Sequence, residues 1–118
     1  METWYCKTLG NGAAATAPSR RIQQLFPPLY AASGQPSSMA VFARHDRKAD
    51  RVTAYFSPRA AELAALFGAQ PCDKPPSDGI GLLVGDARSW AIFFPERKGR
   101  AVHETRTRFA ARAQGAGA

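Results

Sequence analysis

Apolar residues recur along the chain at two different spacings, and each spacing predicts a type of element. Five short apolar runs are typical of strands: ETWYCKTL, MAVFARH, RVTAYF, IGLLVG and SWAIFFP. Between the first two runs, apolar residues recur at helical spacing, at Ile22, Leu25, Phe26, Leu29 and Tyr30. A second helix is predicted to begin at Ser57, a favourable N-cap residue followed by Pro58, and to end at Gly68.

The order of these elements is β-α-β-β-α-β-β, which predicts an α+β fold with an antiparallel sheet. The first six elements match the ferredoxin-like, split β-α-β arrangement, with two helices on one face of the sheet and an extra C-terminal strand. The run AQPCDKPPSDG is predicted to be a proline-rich loop between the second helix and the next strand. Element order indicates a fold class and carries no information about function.

The length of 118 residues is that of one domain. We predict a domain over residues 1–96 and a basic C-terminal tail over residues 97–118. The formal net charge is +7; the tail holds six basic residues and one acidic residue, and the domain holds ten basic and eight acidic residues. The basic character therefore belongs mainly to the tail, which we expect to be flexible.

Alternation along the strands divides their side chains between the two faces of the sheet. One face is apolar enough to pack against two helices, and we assign to it Trp4, Cys6, Met39, Val41, Val52, Ala54, Phe56, Ile80, Leu82, Val84, Trp90, Ile92 and Phe94. The other face carries Thr3, Tyr5, Lys7, Phe42, Arg44, Thr53, Tyr55, Leu83 and Phe93. Its large apolar and aromatic side chains predict an exposed patch of roughly 500–750 Å², which reaches or exceeds the largest patch usual on a monomer.

A patch of this size predicts a cover, and we consider a second copy of the chain, the C-terminal segment or a bound ligand. A homodimer is the first hypothesis, because two-fold pairs are the commonest oligomers. It makes the protein a small cytoplasmic binding domain of unknown specific function. The residues that we expect to form the binding surface are Tyr5, Lys7, Phe42, Arg44, Tyr55 and Phe93. A small-ligand-binding or catalytic α+β dimer is a further hypothesis.

Single-stranded nucleic acid is an alternative partner for the same six residues. The RNA-recognition module shares the predicted element order and stacks bases on aromatic side chains of its central strands. The run RVTAYFSP departs from the pattern of that module, because Val52 and Thr53 stand where it has glycine and an aromatic residue. The basic tail would add phosphate affinity that weakens as the salt concentration rises.

The run GNGAAA satisfies the G-x-G-x-x-A pattern between a predicted strand and a predicted helix. The acid expected after the second strand of a dinucleotide-binding unit is missing, since the nearest candidate, Asp46, ends a strand that turns back as a hairpin. The run KTLGNGA also resembles the R/Q-x-x-G-x-G/A loop of coenzyme A-binding acetyltransferases over seven residues, with Lys7 replacing Arg or Gln. We prefer an alanine-rich connection and keep Gly10 and Gly12 as a candidate phosphate-binding or nucleotide-binding loop.

The remaining chemistry-bearing residues form no recognisable pattern. Cys6 and Cys72 make no C-x-x-C pair, and the histidines, His45 and His103, add no metal-ligand spacing. We predict no metal, no cofactor and no catalytic residues, and we expect binding rather than catalysis. No apolar run is long enough for a membrane span. The N-terminal run METWYCKTLG lacks the pattern of a signal peptide, so we expect a cytoplasmic location.

Overall fold

The computed structural model describes residues 2–33, 39–85 and 88–95, and these residues form an α+β fold. A five-stranded antiparallel sheet has helices on both faces, which confirms the predicted class and the antiparallel sheet. In chain order the elements are β1 (Trp4–Gly10), α1 (Thr16–Ser33), β2 (Val41–Asp46), β3 (Arg51–Phe56), a 3-10 turn (Pro58–Ala60), α2 (Ala61–Leu66), β4 (Gln70–Cys72), β5 (Ile80–Val84) and α3 (Arg88–Phe93).

The strands lie in the order β4-β1-β3-β2-β5, and every neighbouring pair is antiparallel. Since β1 and β2 are both antiparallel to β3, they run parallel to each other, and α1 makes the crossover between them. In the same way β3 and β4 run parallel on either side of β1, and α2 connects them. A parallel pair needs a crossover of this kind because a tight turn only joins antiparallel strands.

The helices α1 and α2 pack on the same face of the sheet. Ile22 of α1 and Leu63 of α2 are fully buried there, together with Val41 of β2 and Phe56 of β3. Phe56 also stacks on Phe67 beyond the end of α2, with ring centroids 6.1 Å apart. This apolar layer is the main core, and it agrees with the prediction that two helices cover one face of the sheet.

A second core lies on the opposite face of the sheet, where α3 packs. Trp90 and Phe94 are 3% and 1% exposed, and they contact Phe42 of β2 at ring centroid distances of 5.4 and 5.0 Å. Trp4 of β1 completes the aromatic group, with its ring centroid 5.0 Å from that of Phe93. The sheet is therefore covered on both faces at the β2 and β5 end.

The prediction of an extra C-terminal strand is wrong, because SWAIFFP forms the helix α3. The alternation of Trp90, Ile92 and Phe94 favoured a strand, but the same run also places apolar residues three and four positions apart. The side of α3 that faces the sheet carries Trp90 and Phe93, and Phe94 follows the helix directly on the same side. Ile92 is left 48% exposed. A short apolar run satisfies both periods, and contact with Trp4 and Phe42 selects the helical one.

The strand β4 lies within the run AQPCDKPPSDG, which was predicted to be a loop. It has only three residues and contains Pro71, and an edge strand tolerates proline because one side of its backbone has no strand partner. The run IGLLVG, predicted as the fourth strand, is β5 and lies at the opposite edge of the sheet. The predicted tail, residues 97–118, and residue 96 of the predicted domain lie outside the described residues.

Candidate binding surface on the sheet

The six residues predicted to form one binding surface are divided between the two faces of the sheet. Phe42, Arg44 and Tyr55 do share a face, since Phe42 is the cross-strand partner of Tyr55 and Arg44 is that of Thr53. Tyr5 pairs with Phe56 and Lys7 pairs with Ala54, which places both on the face that carries α1 and α2. Phe93 lies in α3 and not in a strand.

The difference arises from the register between strands. The sequence alternation assigned Trp4 and Cys6 to the same face as Val52, whereas the β1–β3 ladder pairs Cys6 with Tyr55. Because successive side chains point to opposite faces, an error of one position inverts a whole strand. The same inversion applies to β5, where Leu82 faces α3 and Leu83 lies in the main core.

The helix α3 covers the apolar part of the face that was predicted to be open. Phe42 is 0% exposed, and its ring meets Trp90, Phe93 and Phe94 edge to face. Phe42 and Phe93 therefore belong to the packing of the chain itself. The cover of these rings is α3, a segment that was predicted to be a strand of the sheet. The three alternatives considered from the sequence, a second copy, the C-terminal segment and a ligand, stay predictions.

None of the described helices packs on the rest of this face, where Tyr55 borders the aromatic group covered by α3, and we call it the Tyr55 surface. It lies where β1, β3 and β2 run side by side, and the ladder pairs its side chains directly across the strands. All are half-buried except Thr8, which is exposed. Its members are Cys6, Thr8, Arg44, Thr53 and Tyr55. The surface thus combines one aromatic ring, one guanidinium and three hydroxyls, which are groups that recognise a ligand by stacking and by hydrogen bonds.

Arg44 is held in place by the loop that precedes β5. Its Nε donates a hydrogen bond of 3.0 Å to the carbonyl oxygen of Asp78. That bond uses one of the five N–H donors of the guanidinium and leaves donors that can serve a ligand. A cation beside a half-buried aromatic ring on a sheet suits a ligand that carries both negative charge and flat apolar groups.

The phenol of Tyr55 stays protonated at neutral pH. Burial raises its pKa above the ordinary value, and nearby Cys6 and Cys72 raise it further, whereas Arg44 acts in the opposite direction. The hydroxyl is therefore a hydrogen-bond donor as well as an acceptor under physiological conditions. Arg44 and both thiols thus lie close enough to Tyr55 to influence its ionisation.

Cys6 and Cys72 come together at the border of the Tyr55 surface. The β1–β4 ladder pairs Trp4 with Cys72 and Cys6 with Gln70, so the two cysteines occupy diagonal positions on one face. Both thiols are free and only half-buried. The pKa of Cys72 is raised to about 12, with burial as the largest cause and the neighbouring Cys6 and Asp73 as further causes. Sequence reasoning missed this pair because β4 was taken for a loop.

The loop with Gly10 and Gly12 is organised around internal hydrogen bonds. The N–H of Gly12 donates to Asp50 Oδ1 at 3.0 Å, and the N–H of Ala14 donates to Asn11 Oδ1 at 2.7 Å. Gly10 has a φ of +107°, and a Cβ there would lie 3.0 Å from that of Ala14. The N–H of Gly12 therefore already has a carboxylate acceptor within the chain.

The same carboxylate connects this loop with the β2–β3 hairpin. Asp50 has a φ of +48°, a conformation in which Asp is more acceptable than most residues. His45 Nε2 lies 2.9 Å from Asp50 Oδ1, on an exposed part of the hairpin. The Asp50 carboxylate thus contacts His45, five residues away, and Gly12, 38 residues away. The role of Gly10 and Gly12 in anion binding remains a prediction.

No group of three or more His, Cys, Asp or Glu side chains within residues 2–33, 39–85 and 88–95 is arranged to hold a metal ion. The same ranges contain no helix whose length and apolar character would let it cross a membrane. Comparison of the chain with protein-family models, with curated proteins and with solved structures found no match.

Proposed function

We propose that the protein is a small binding domain and that the Tyr55 surface takes single-stranded nucleic acid. One observation carries the proposal: the half-buried Tyr55 ring lies beside Arg44 on the sheet face opposite α1 and α2, at the edge of the aromatic group that α3 covers. Bases of any sequence stack on an aromatic ring, and each stacked base contributes about 1–3 kcal/mol of binding free energy. The guanidinium of Arg44 is suited to the phosphate that follows the stacked base.

The rest of the surface supports the same kind of ligand. Thr8 and Thr53 lie directly opposite each other across the β1–β3 ladder, one step from the pair Cys6 and Tyr55. Their hydroxyls lie on the sheet face that a strand of bases would cover. Hydroxyls donate hydrogen bonds to sugar and phosphate oxygens. The formal charge of +7 favours association with a polyanion at low salt.

The proposal includes a finer description of the fold. We infer that the first four strands form the ferredoxin-like arrangement expected from the element order. Two features support it: β3 separates the parallel pair β1 and β2, and β1 separates the parallel pair β3 and β4. Each β-α-β unit is then split by a strand of the other. In this description β5 and α3 are additions at the C-terminal end.

A homodimer is the second candidate, with the Tyr55 surface of one copy against that of the other. The half-buried ring of Tyr55 in the centre of the sheet favours it, because a two-fold contact would bury that ring against its counterpart. We place it second because α3 already buries Phe42, one of the aromatic rings of the predicted interface. Sedimentation at micromolar concentrations distinguishes the two: a dimer that Tyr55→Glu dissociates supports the homodimer.

Fluorescence anisotropy of a labelled single-stranded oligonucleotide, titrated with the full chain at several salt concentrations, tests the nucleic-acid proposal. We expect saturable binding that weakens as salt rises, since counterions compete for phosphate. Substitution of Tyr55 by alanine should lower the affinity about 5- to 150-fold, which corresponds to one stacked base. Unchanged affinity in Tyr55→Ala, or no binding at low salt, overturns the proposal.

A further inference from the structure

The two cysteines of the chain lie near each other on the sheet although they are 66 positions apart in the sequence. The ladder between β1 and β4 places them on one face of the sheet, at diagonal positions of adjacent strands. Both are free and half-buried, so each residue is partly exposed to solvent. Two partly exposed free thiols on neighbouring strands are what an intramolecular disulfide requires.

We propose that Cys6 and Cys72 form a reversible redox pair that is oxidised to a disulfide between β1 and β4 by small-molecule disulfides. The proposal is independent of the binding function proposed above. It assigns to this edge of the sheet a modification site whose reduced and oxidised forms differ by one covalent cross-link.

The oxidation takes place in two thiol–disulfide exchange steps. The Cys6 thiolate attacks one sulfur of the oxidant R–S–S–R, a Cys6–S–S–R bond forms, and the first RS⁻ leaves with the proton that Cys6 gave up. Cys72 then gives its proton to solvent and attacks the sulfur of Cys6, and the second RS⁻ leaves. Overall, two protein thiols lose two electrons and two protons, and R–S–S–R becomes two RSH.

The order of the two steps follows from the environment of Cys72. Burial is the largest cause that favours the protonated form of Cys72, and the neighbouring Cys6 and Asp73 add to it. Cys72 therefore holds its proton at neutral pH, and Cys6 makes the first attack. Once Cys6 is in the mixed disulfide, it bears no charge, and its part in raising the pKa of Cys72 disappears. Cys72 then becomes the resolving thiol.

The position of the pair predicts that the disulfide is easily reduced. Diagonal partners in an antiparallel ladder have Cα atoms about 7–8 Å apart, whereas disulfides usually join Cα atoms about 4.4–6.8 Å apart. Closure therefore requires β4 to shift toward β1. Since β4 is a three-residue edge strand that contains Pro71, the shift disturbs few backbone hydrogen bonds. Strain of this kind makes a disulfide more oxidising than a structural one.

The test incubates the full reduced chain with oxidised glutathione, blocks remaining thiols with an alkylating agent, and determines the products by intact mass and peptide mapping. We expect a monomer that has lost two hydrogens, with the Cys6 peptide linked to the Cys72 peptide. Excess reduced glutathione should restore both thiols. A doubly glutathionylated chain, a disulfide between two chains, or two unmodified thiols overturns the proposal.

Two single variants act as matched controls, since each leaves one thiol in place. Cys72→Ser should stop at a stable Cys6–glutathione adduct, because the resolving thiol is absent. Cys6→Ser should react more slowly with oxidised glutathione than Cys72→Ser does, because burial and the charge of Asp73 still favour the protonated form of Cys72 in that variant. Equal rates for the two variants, with both folded by circular dichroism, contradict the assigned order of attack.

Discussion

Phe42 packs edge to face against Trp90, with ring centroids 5.4 Å apart and ring planes at 76°. This contact joins α3 to the centre of the sheet, and it turns an aromatic position of β2 from a predicted surface residue into a core residue. Aromatic pairs in this geometry contribute about 0.5–1.5 kcal/mol beyond the burial of their area. The stability of the α3 side of the molecule therefore depends on Trp90.

Two substitutions of Trp90 distinguish the contribution of ring volume to stability from the cost of an unpaired indole N–H. Within the described part of the chain, its buried indole N–H has no hydrogen-bond partner. We expect Trp90→Ala to lower the free energy of unfolding by about 3–5 kcal/mol, because it leaves a large cavity. Trp90→Phe should cost much less, since it keeps a ring against Phe42 and removes an unpaired donor worth about 1–3 kcal/mol. Denaturant unfolding measures both, and equal losses contradict this reading.

Because the predicted site residues lie on two faces of the sheet, a cation on the Tyr55 surface can be compared with a control cation on the opposite face. Arg44 and Lys7 are both cations on neighbouring parts of the sheet, but only Arg44 lies on the Tyr55 surface. We expect Arg44→Gln to weaken oligonucleotide binding and to reduce the salt slope by about one ion. Lys7→Gln removes the same charge from the opposite face and should leave the salt slope nearly unchanged. Equal effects of both variants indicate that net charge alone drives binding.

A second matched pair concerns the rings. Tyr5 and Tyr55 lie on adjacent strands but on opposite faces of the sheet. Replacement of Tyr55 by leucine removes the stacking platform while keeping an apolar side chain, so affinity for the oligonucleotide should fall. Tyr5→Leu keeps the packing on the α1 and α2 side and should bind like the wild type. Anisotropy titrations of the two variants, compared at equal folded fraction, give the answer.

Asp50 provides a prediction about stability. Its Oδ1 accepts the N–H of Gly12 and lies 2.9 Å from His45 Nε2. We expect Asp50→Ala to destabilise the fold by about 1–3 kcal/mol, because Gly12 loses its acceptor and alanine is strained at a φ of +48°. Asp50→Asn keeps an oxygen acceptor and tolerates that conformation, so its loss should be smaller. Thermal unfolding compares the two, and an Asn variant as unstable as the Ala variant contradicts the assignment.

The raised pKa values of Cys72 and Tyr55 predict a loss of stability in alkali. The fold holds both groups protonated more firmly than the unfolded chain does. Their contribution is complete below the pKa values of the unfolded groups and is lost as pH rises through the folded values, about 12 for Cys72. We expect the free energy of unfolding to fall from about pH 9 upward. The double variant Cys72→Ala with Tyr55→Phe should show a shallower fall, and identical profiles contradict the prediction.

The sequence predicted most of the sheet but could not predict its register. β1, β2, β3 and α2 were predicted because each has a long enough pattern or a clear start signal, such as Ser57 and Pro58. β4 was not predicted because three residues with a proline carry no pattern, and its pairing with β1 is a property of the tertiary structure. The helix α3 was not predicted because the helical spacing of Trp90, Phe93 and Phe94 is favoured only by their contact with Phe42.

The prediction of the candidate site was limited both by the register between strands and by the elements that were not predicted. Arg44, Tyr55 and Phe42 were placed correctly on one face, since they lie within the β2–β3 hairpin, where the register is local. Tyr5 and Lys7 were misplaced because the β1–β3 register joins distant segments. The approach of Cys6 and Cys72 depends on β4 and lay outside the reach of any local pattern.

The position of α3 after every strand has a consequence during protein synthesis. Phe42 is synthesised 48 residues before Trp90, which covers its ring in the finished fold. Until α3 is synthesised, the nascent chain exposes the apolar side of the sheet that carries Trp4 and Phe42, and exposed apolar surfaces of this kind aggregate readily and are bound by chaperones. Formation of α3 therefore removes an apolar surface that the nascent chain would otherwise present.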